Sequence, residues 1–308
     1  MTTEWTQHRG GVRLRRTIPP LLVAVLMLAG CGSKKAGAAG GGAAEREFRP
    51  FAFLHASDPH IGGPGGIGGS RDRFITLARK ANELRPDFVL VTGDLVNDGD
   101  NPEQWAAFEE ALREFDMPVK LLPGNHDGLE AFAARFGSGY HRFTHRNCDF
   151  ICLDSFALSR ATAQWVWLEK RLLEARRAGR RHIILAMHHP PQDLAAKDRI
   201  ERLIQEYGVR VVLAGHLHRT VEIEGPGYTT YVVSGTSYPR DHSGMCCRLF
   251  RVGEEGITQE VVRRDAAPAS SPPEHAEPGG GSDASTRPAR RSAETGRAPT
   301  PAPTGTAG

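Results

Sequence analysis

The sequence predicts an α/β protein in which a mixed sheet region is covered by helices. Three observations support this fold class. Short runs that are apolar throughout recur along the chain, and such runs are typical of strands that are buried on both faces. Amphipathic segments with apolar residues at helical spacing lie between them. A later stretch divided by glycine turns is typical of antiparallel strands.

Six apolar runs are predicted as mostly buried strands, and they cover residues 51–57, 87–93, 118–122, 149–154, 182–187 and 209–215. Three amphipathic segments are predicted as helices, at residues 73–84, 102–115 and 163–179. Antiparallel strands are expected within residues 220–237 and 245–262. Strands that alternate with helices before the first hairpin favour the α/β class.

Composition and charge limit the possible functions. The chain has 308 residues, of which 39% are hydrophobic, so it can bury a core. Its 35 glycines and 7% aromatic content indicate that part of it is unstructured, so one domain with tails fits better than two domains. The excess of basic residues lies within residues 1–30. The remainder is nearly neutral, and we therefore expect no binding to nucleic acid.

Residues 1–30 have the pattern of an export signal, in which a basic segment precedes the apolar run 21–30. That run is too short to span a bilayer, which takes roughly 20 apolar residues. It ends in Leu28-Ala29-Gly30-Cys31, which resembles a bacterial lipobox, a motif whose cysteine is diacylated and becomes the new amino terminus. We expect an exported protein that is lipid-anchored through Cys31 to the bacterial cell membrane and faces the extracytoplasmic side. The alternatives are an ordinary cleaved signal and a twin-arginine signal at Arg15-Arg16.

The chain is divided into residues 1–30 as a lipoprotein signal peptide, 31–47 as a flexible tether, 48–264 as the folded domain and 265–308 as a disordered tail. The tether is rich in glycine and alanine and has little to pack. The tail contains no Leu, Ile, Val, Met, Phe, Tyr or Trp. Burial therefore cannot offset the entropy cost of ordering it.

Metal-binding residue types follow five of the predicted strands. They are Asp58 and His60, Asp94, the run Asn125-His126-Asp127, the pair His188-His189, and His216 and His218. Each motif alone is more often a turn or a packed histidine. Because the carboxyl ends of strands in an α/β sheet face one crevice, five motifs at corresponding positions favour a site.

The residue types suit a centre of two metal ions. Such a centre needs a carboxylate that bridges the ions, further oxygen and imidazole ligands, and positions for water and substrate. A set of His, Asp and an Asn carbonyl without thiolate suits Mn, Fe or Zn and argues against a structural zinc site. The spacing of Asp58 and His60 places both side chains on one side of an extended segment. Asp94 is the best candidate for the bridge.

These motifs, in this order, resemble those of the calcineurin-like metallophosphoesterase superfamily, and the resemblance covers about residues 50–263. It implies a single domain in which a two-sheet sandwich is flanked by helices in four layers. By resemblance, one ion is surrounded by Asp58, His60, Asp94 and His218, and the other by Asp94, Asn125, His188 and His216. His189 would support the loop. The resemblance further implies that His126 acts on the substrate and that Asp127 holds its ring by a hydrogen bond.

The function implied is a dinuclear metal-dependent hydrolase of small-molecule phosphoesters, in which a metal-activated hydroxide attacks phosphorus in line. The third residue after Asp94 is Asn97, where purple acid phosphatases have tyrosine, so the chain is more similar to the branch of bacterial cyclic-nucleotide phosphodiesterases. We expect a phosphodiesterase. A phosphomonoesterase or nucleotidase of the same fold is the alternative, and a non-catalytic metal-binding lipoprotein is a further one.

Several features are left open by the sequence. The glycine-rich segment 62–70 is expected to be a flexible loop near the site, and Arg240 could reach the phosphate. A disulfide between two cysteine clusters and buried free thiols are equally compatible with Cys148, Cys152, Cys246 and Cys247. The natural substrate, the metals and the oligomeric state are not predicted.

Overall fold

The structure is a computed structural model, and it describes residues 48–158, 160, 162–236, 240 and 244–263. The predicted signal peptide, lipidation site, tether and tail lie outside the described residues. Within these ranges, no helix is both long enough and apolar enough to cross a membrane.

The first sheet has five strands in the order β11-β10-β1-β2-β3. They are β1 (Phe51–Ala56), β2 (Phe88–Thr92), β3 (Val119–Leu122), β10 (Cys246–Val252) and β11 (Ile257–Arg263). Strands β1, β2 and β3 run parallel, whereas β10 pairs antiparallel with both β1 and β11. The sheet is therefore mixed.

The second sheet has six strands in the order β4-β5-β6-β7-β9-β8. They are β4 (His141–His145), β5 (Cys148–Cys152), β6 (His182–Ala186), β7 (Val211–Ala214), β8 (Val221–Gly225) and β9 (Tyr228–Val232). Parallel pairs join β5, β6, β7 and β9, and antiparallel strands form both edges.

Helices cover the outer faces of both sheets. The helices are α1 (Gly66–Leu84), α2 (Pro102–Leu112), α3 (Leu129–Phe136), α4 (Ser155–Leu158), α5 (Thr162–Arg177) and α6 (Lys197–Tyr207). One apolar cluster packs α1 and α2 against the first sheet, and another packs α5 and α6 against the second. The predicted two-sheet fold with flanking helices is confirmed.

A third apolar cluster fills the space between the sheets. The ring of Phe53 on β1 stacks on Phe88 and Phe250 at centroid distances of 5.3 and 4.8 Å, and Phe150 on β5 meets it edge to face at 5.2 Å. Inner strands such as β1 and β5 are buried on both faces, which explains why their sequences are mostly apolar. Loss of such a ring costs about 3–5 kcal/mol.

The six predicted strands are present as β1, β2, β3, β5, β6 and β7, and both hairpins are also present. The expectation of a flexible loop at residues 62–70 is wrong for its second half, because α1 begins at Gly66. The Ser70 hydroxyl donates to the Gly66 carbonyl at 2.7 Å and accepts from the Gly62 amide at 2.8 Å. One polar side chain thus closes the first turn of a glycine-rich helix.

The four cysteines of the folded part are free and buried. Cys148 and Cys152 lie on β5, whereas Cys246 and Cys247 lie on β10 in the other sheet. Burial raises the pKa of the Cys152 thiol to about 12. Of the two possibilities that the sequence leaves open, the structure has the free thiols.

Candidate metal centre

Loops after β1, β2, β3, β6 and β7 carry the predicted site residues to one end of the two sheets. Backbone hydrogen bonds join neighbouring loops: the Asp58 amide donates to Gly93 O at 3.0 Å, and the His60 amide donates to Asp94 O at 2.9 Å. In the second sheet, the Gly215 amide donates to His188 O at 2.9 Å. The side chains therefore stand on loops that the sheets hold in fixed register.

The backbone is strained where it presents these side chains. Five of the residues have positive φ: Asp58 (52°), His60 (41°), Asp94 (51°), His216 (66°) and His218 (52°). Residues other than glycine rarely adopt this left-handed conformation, and it clusters at functional sites. The fold thus maintains an unfavourable local backbone to direct these side chains inward.

Two glycines are required by close approach of the loops. A Cβ atom on Gly124 would collide with the backbone amide and the carboxylate of Asp94. A Cβ atom on Gly215 would collide with the side chains of Ser57 and Asp58. The glycine before each motif therefore lets one loop pack directly on the side chains of another.

Four buried residues form what we call the carboxylate group: Asp58, His60, Asp94 and His218. One potential ligand atom from each lies within 4.8 Å of the others. His218 Nε2 is 3.4 Å from Asp58 Oδ1, and His60 Nε2 is 3.3 Å from Asp94 Oδ2. This set is the one that the family resemblance implies for the first ion.

Three residues form the histidine group: His188, His189 and His216, whose ligand atoms also lie within 4.8 Å of one another. His188 Nδ1 is 2.8 Å from the carbonyl oxygen of Thr92. A carbonyl only accepts, so Nδ1 carries a proton, and Nε2 is the nitrogen that can bind a metal ion once its own proton is displaced. His189 Nδ1 is instead 2.9 Å from Ser155 Oγ. His188 is thus prepared as a ligand, whereas the ring of His189 is held by a neighbour in the loop.

Asp94 joins the two groups. Its Oδ2 is 3.3 Å from His60 Nε2 and 3.2 Å from His188 Nε2. Its Oδ1 accepts a hydrogen bond from the His126 amide at 2.9 Å, which fixes the orientation of the carboxylate. One carboxylate oxygen therefore faces imidazoles that come from the two different sheets.

The electrostatic field at this centre favours positive charge. Burial alone would lower the pKa of His60, but the hydrogen bonds and charges of Asp58 and Asp94 outweigh it and raise the pKa to about 9. Burial likewise opposes the charge on Asp94, yet His188 and His60 hold the pKa of that carboxyl well below its usual range. In the absence of metal, the buried carboxylates thus retain protons on the imidazoles beside them.

The buried polar atoms that have no hydrogen-bond partner in the part of the chain that the structure describes include three at this centre: Asp58 Oδ1, Asn125 Oδ1 and His188 Nε2. Buried polar atoms are rarely left unpaired, because each costs about 1–3 kcal/mol. All three atoms are lone-pair donors of the kinds that bind transition-metal ions. The residues present therefore fit metal ions.

The predicted hydrogen bond between Asp127 and the His126 ring is wrong. Asp127 is fully buried, and its oxygens accept from the amides of Leu95, Val96 and Gly124 at 2.7, 3.0 and 2.7 Å. His126 Nδ1 instead donates to the carbonyl oxygen of Asn97 at 2.8 Å. Every residue has a backbone carbonyl, so side-chain motifs in the sequence cannot identify this partner.

A cavity of about 340 Å³ opens over the centre. Asp94, Asn125, His126, His216 and His218 line it, together with Leu217, Arg219 and Arg240. The structure thus places Arg240 where the sequence suggested. Arg219 was not predicted, although a basic residue directly after the last candidate ligand is a signal that could have indicated it.

Comparisons with known proteins agree with this geometry. Residues 51–220 match the family described as calcineurin-like phosphoesterase. The chain is 28% identical over 258 residues to a probable cyclic nucleotide phosphodiesterase of Rhodococcus erythropolis, which covers 70% of this chain and 84% of that protein. It is also 28% identical over 269 residues to a cAMP/cGMP dual specificity phosphodiesterase of Mycobacterium tuberculosis, covering 71% and 81%.

A solved structure, that of a dimetal phosphatase from Danio rerio, aligns with a TM-score of 0.56 at 14% identity over 70% of this chain and 99% of that one. At this level of identity the likeness shows the fold alone. The family match covers more than half of the chain and includes all five strand ends that carry the centre. The chain therefore belongs to the calcineurin-like phosphoesterase family, and it is a hydrolase of phosphoesters.

Proposed function

We propose that this protein is a dinuclear metal-dependent phosphodiesterase. The single observation that carries the proposal is the position of Asp94 Oδ2, which lies 3.3 Å from His60 Nε2 and 3.2 Å from His188 Nε2. A carboxylate oxygen between two imidazole nitrogens is placed to bridge two ions. The two relatives named above, both called phosphodiesterases, support the diester preference.

One ion would be held by Asp58, His60, Asp94 and His218, and the other by Asp94, Asn125, His188 and His216. Mixed nitrogen and oxygen donors without thiolate suit Mn, Fe or Zn. The Nδ1 atom of His189 is engaged with Ser155, which supports His188 as the ligand of that pair. The unpartnered oxygen of Asn125 supports the inclusion of its amide.

The ions, when bound, would polarise a water molecule and neutralise charge on the phosphoryl oxygens. His126 is exposed at the cavity and outside both ligand sets. Because its Nδ1 donates to Asn97, its Nε2 is free to face the substrate. When the ring is doubly protonated, Nε2 would donate its proton to the leaving oxygen or stabilise the phosphoryl group. Asp127 would act by holding the loops that carry Asp94 and Asn125.

The test uses the protein reconstituted with Mn²⁺, Zn²⁺ or Fe²⁺. Metal analysis should give about two ions per chain, and bis-4-nitrophenyl phosphate should be hydrolysed faster than 4-nitrophenyl phosphate. Faster hydrolysis of the monoester would favour the phosphomonoesterase or nucleotidase alternative. Two bound ions without hydrolysis of either ester would contradict the proposal.

We also propose that the enzyme acts outside the cytoplasm, anchored by lipid at Cys31. The support is the apolar run 21–30 that ends in Leu28-Ala29-Gly30-Cys31. Cys31→Ala should release the protein from the membrane fraction or leave it unprocessed, as measured by fractionation and lipid labelling. Cys246→Ala is a matched control that should leave both results unchanged. Lipid labelling of the Cys31 variant would refute the anchor.

A further inference from the structure

A second cavity lies beside the metal centre. It has a volume of about 190 Å³ and is lined by α4 and by residues around the 3-10 turn Pro191–Asp193. His189 lines it, and the His189 ring is 4.2 Å from the ring of His216, which lines the cavity of the metal centre. The two cavities are therefore separated by this pair of rings. An ester arm that leaves the centre on this side would pass the His189 and His216 rings.

The rim of this cavity carries an exposed aromatic ring. Phe156 is 41% exposed, although large apolar side chains are usually covered. The guanidinium carbon of Arg160 lies 5.6 Å from the centroid of the Phe156 ring. Arg160 makes no ion pair with any carboxylate in the described part of the chain. Aromatic and guanidinium groups both stack on flat conjugated rings.

The same cavity has one free acceptor and an apolar floor. Asp193 is exposed there, and its carboxylate has no hydrogen bond or ion pair among the residues described. The Ser155 hydroxyl is already engaged by the amide and ring of His189, both at 2.9 Å. Leu158 and Leu194 supply apolar lining. A ligand in this cavity would therefore meet a stacking surface, apolar side chains and a carboxylate that accepts hydrogen bonds.

We infer that this cavity binds the nucleobase of a nucleoside phosphodiester and favours bases that carry an exocyclic amine. The inference rests on the phosphodiesterase activity proposed above. The cavity is smaller than the roughly 300–1,000 Å³ of sites that hold a whole ligand, so it suits one arm of a substrate. An aliphatic arm could neither stack on Arg160 nor donate a hydrogen bond to Asp193, whereas an aromatic ring with an exocyclic amine could do both.

The stacking surface is tested with two diesters that share a leaving group, adenosine 5′-(4-nitrophenyl phosphate) and methyl 4-nitrophenyl phosphate. Phe156→Leu should lower kcat/KM for the adenosine diester by about 5- to 150-fold, the range that base–aromatic stacking gives. The kcat/KM for the methyl diester should fall much less. Phe156→Tyr, which keeps an aromatic ring at this position, should retain the wild-type rate for the adenosine diester. Val166→Ala removes an apolar side chain that is 63% exposed on α5, and it should leave both rates unchanged.

The acceptor is tested by replacing adenosine with inosine, whose base has a carbonyl in place of the exocyclic amine. The wild-type protein should prefer the adenosine diester, and Asp193→Asn should reduce that preference. The variant removes the charge at nearly constant size. The effect of Asp193→Asn on the adenosine diester should appear in KM more than in kcat, because Asp193 would contact the base and not the reacting atoms.

The outcomes separate the two proposals. If the wild-type protein hydrolyses the methyl diester but Phe156→Leu affects both diesters equally, the inference is overturned and the phosphodiesterase activity stands. Equal rates for adenosine and methyl diesters in the wild-type protein would overturn it in the same way. If the metal-loaded wild-type protein hydrolyses neither diester, the proposed function fails and the inference fails with it.

Discussion

The carboxylate group and the histidine group lie side by side but differ in charge and burial. All four residues of the carboxylate group are buried, whereas His189 and His216 of the histidine group are partly exposed. The Asp58 and Asp94 side chains raise the pKa of His60 to about 9. Burial and the neighbouring His188 and His216 instead lower the pKa of His189 to about 3.

Two adjacent sets of ligands are thus prepared for a metal ion in different ways. The carboxylate group attracts any cation, so a metal ion has to displace protons from its imidazoles. Burial and the neighbouring His188 lower the pKa of His216, so its ring offers a lone pair without competition from a proton. We expect the ion in the carboxylate group to be held more tightly and the ion in the histidine group to exchange more easily.

The largest effect is expected when the link between the groups is removed. Asp94→Ala should lower hydrolysis by roughly 10⁴-fold or more, because the charge stabilisation supplied by both ions is worth several kcal/mol. The variant should also lose more metal than any other single ligand change. Activity assays and metal analysis measure the two losses.

Asp100→Ala is the matched control for Asp94→Ala, because it removes an exposed carboxylate from the same loop. It should retain both metal ions and activity. If Asp94→Ala retained two ions per chain, Asp94 would not be the bridge, and the two groups would bind independently.

The second effect concerns His126, which lies outside both groups. His126→Ala should retain about two ions per chain and near-native stability, because the side chain is exposed. Hydrolysis should fall by roughly 10² to 10⁴, the usual contribution of a positioned acid or base. The fall should be larger for alkyl than for 4-nitrophenyl leaving groups, since an alkoxide needs a proton more.

If the variant lost metal in proportion to activity, His126 would be a metal ligand and would belong to one of the two groups. Equal losses for all leaving groups would leave charge stabilisation as its only role.

A smaller effect is expected from Asp127, which holds loops of both groups without touching the substrate. Asp127→Asn removes one of the two oxygens that accept from three backbone amides. Activity should fall by about 10- to 100-fold, the range for residues that orient metal ligands. Excess metal should restore part of the activity of the Asp127→Asn variant. The exposed carboxylate of Asp98, which accepts from one amide at 3.1 Å, supplies the control Asp98→Asn. An Asp127→Asn variant with wild-type metal affinity would contradict this role.

The smallest effect tests the charge difference through pH. In the metal-free fold, the pKa of His60 and of His188 is about 9, above the ordinary value of 6.5. Protonation of these rings stabilises the metal-free fold fully below pH 6.5, and the stabilisation is lost as pH rises through about 9. The free energy of unfolding of the metal-free protein, measured from its urea midpoint, should therefore fall over this interval by a few kcal/mol in total, at roughly 1.4 kcal/mol per pKa unit.

Saturation with metal should abolish that fall, because the ions occupy the ring nitrogens. His126→Ala should show the same pH dependence as the wild-type protein. A constant midpoint in the metal-free protein would show that His60 and His188 do not bind protons in place of metal.

Much of the site could be predicted because its residues follow strands. Apolar runs fix where β1, β2 and β3 end, and the residues after each end are Asp58, Asp94 and Asn125. What could not be predicted were contacts made through the backbone. The partner of the His126 ring is a carbonyl, and the partners of Asp127 are three amides.

The sequence alone specifies the alternation of strands and helices, the residue types at the strand ends, and the glycines before Asp94, Asn125 and His216. These depend on local patterns of apolarity and on side-chain chemistry, which any stretch of chain displays alone. His60 and His188, from loops of different sheets, face the same oxygen of Asp94 only because the two sheets pack together. Only the fold places Phe156 and Asp193 beside the centre, because both positions depend on how loops of the second sheet pack around His189. Distances between residues far apart in sequence follow from the packing of the whole domain.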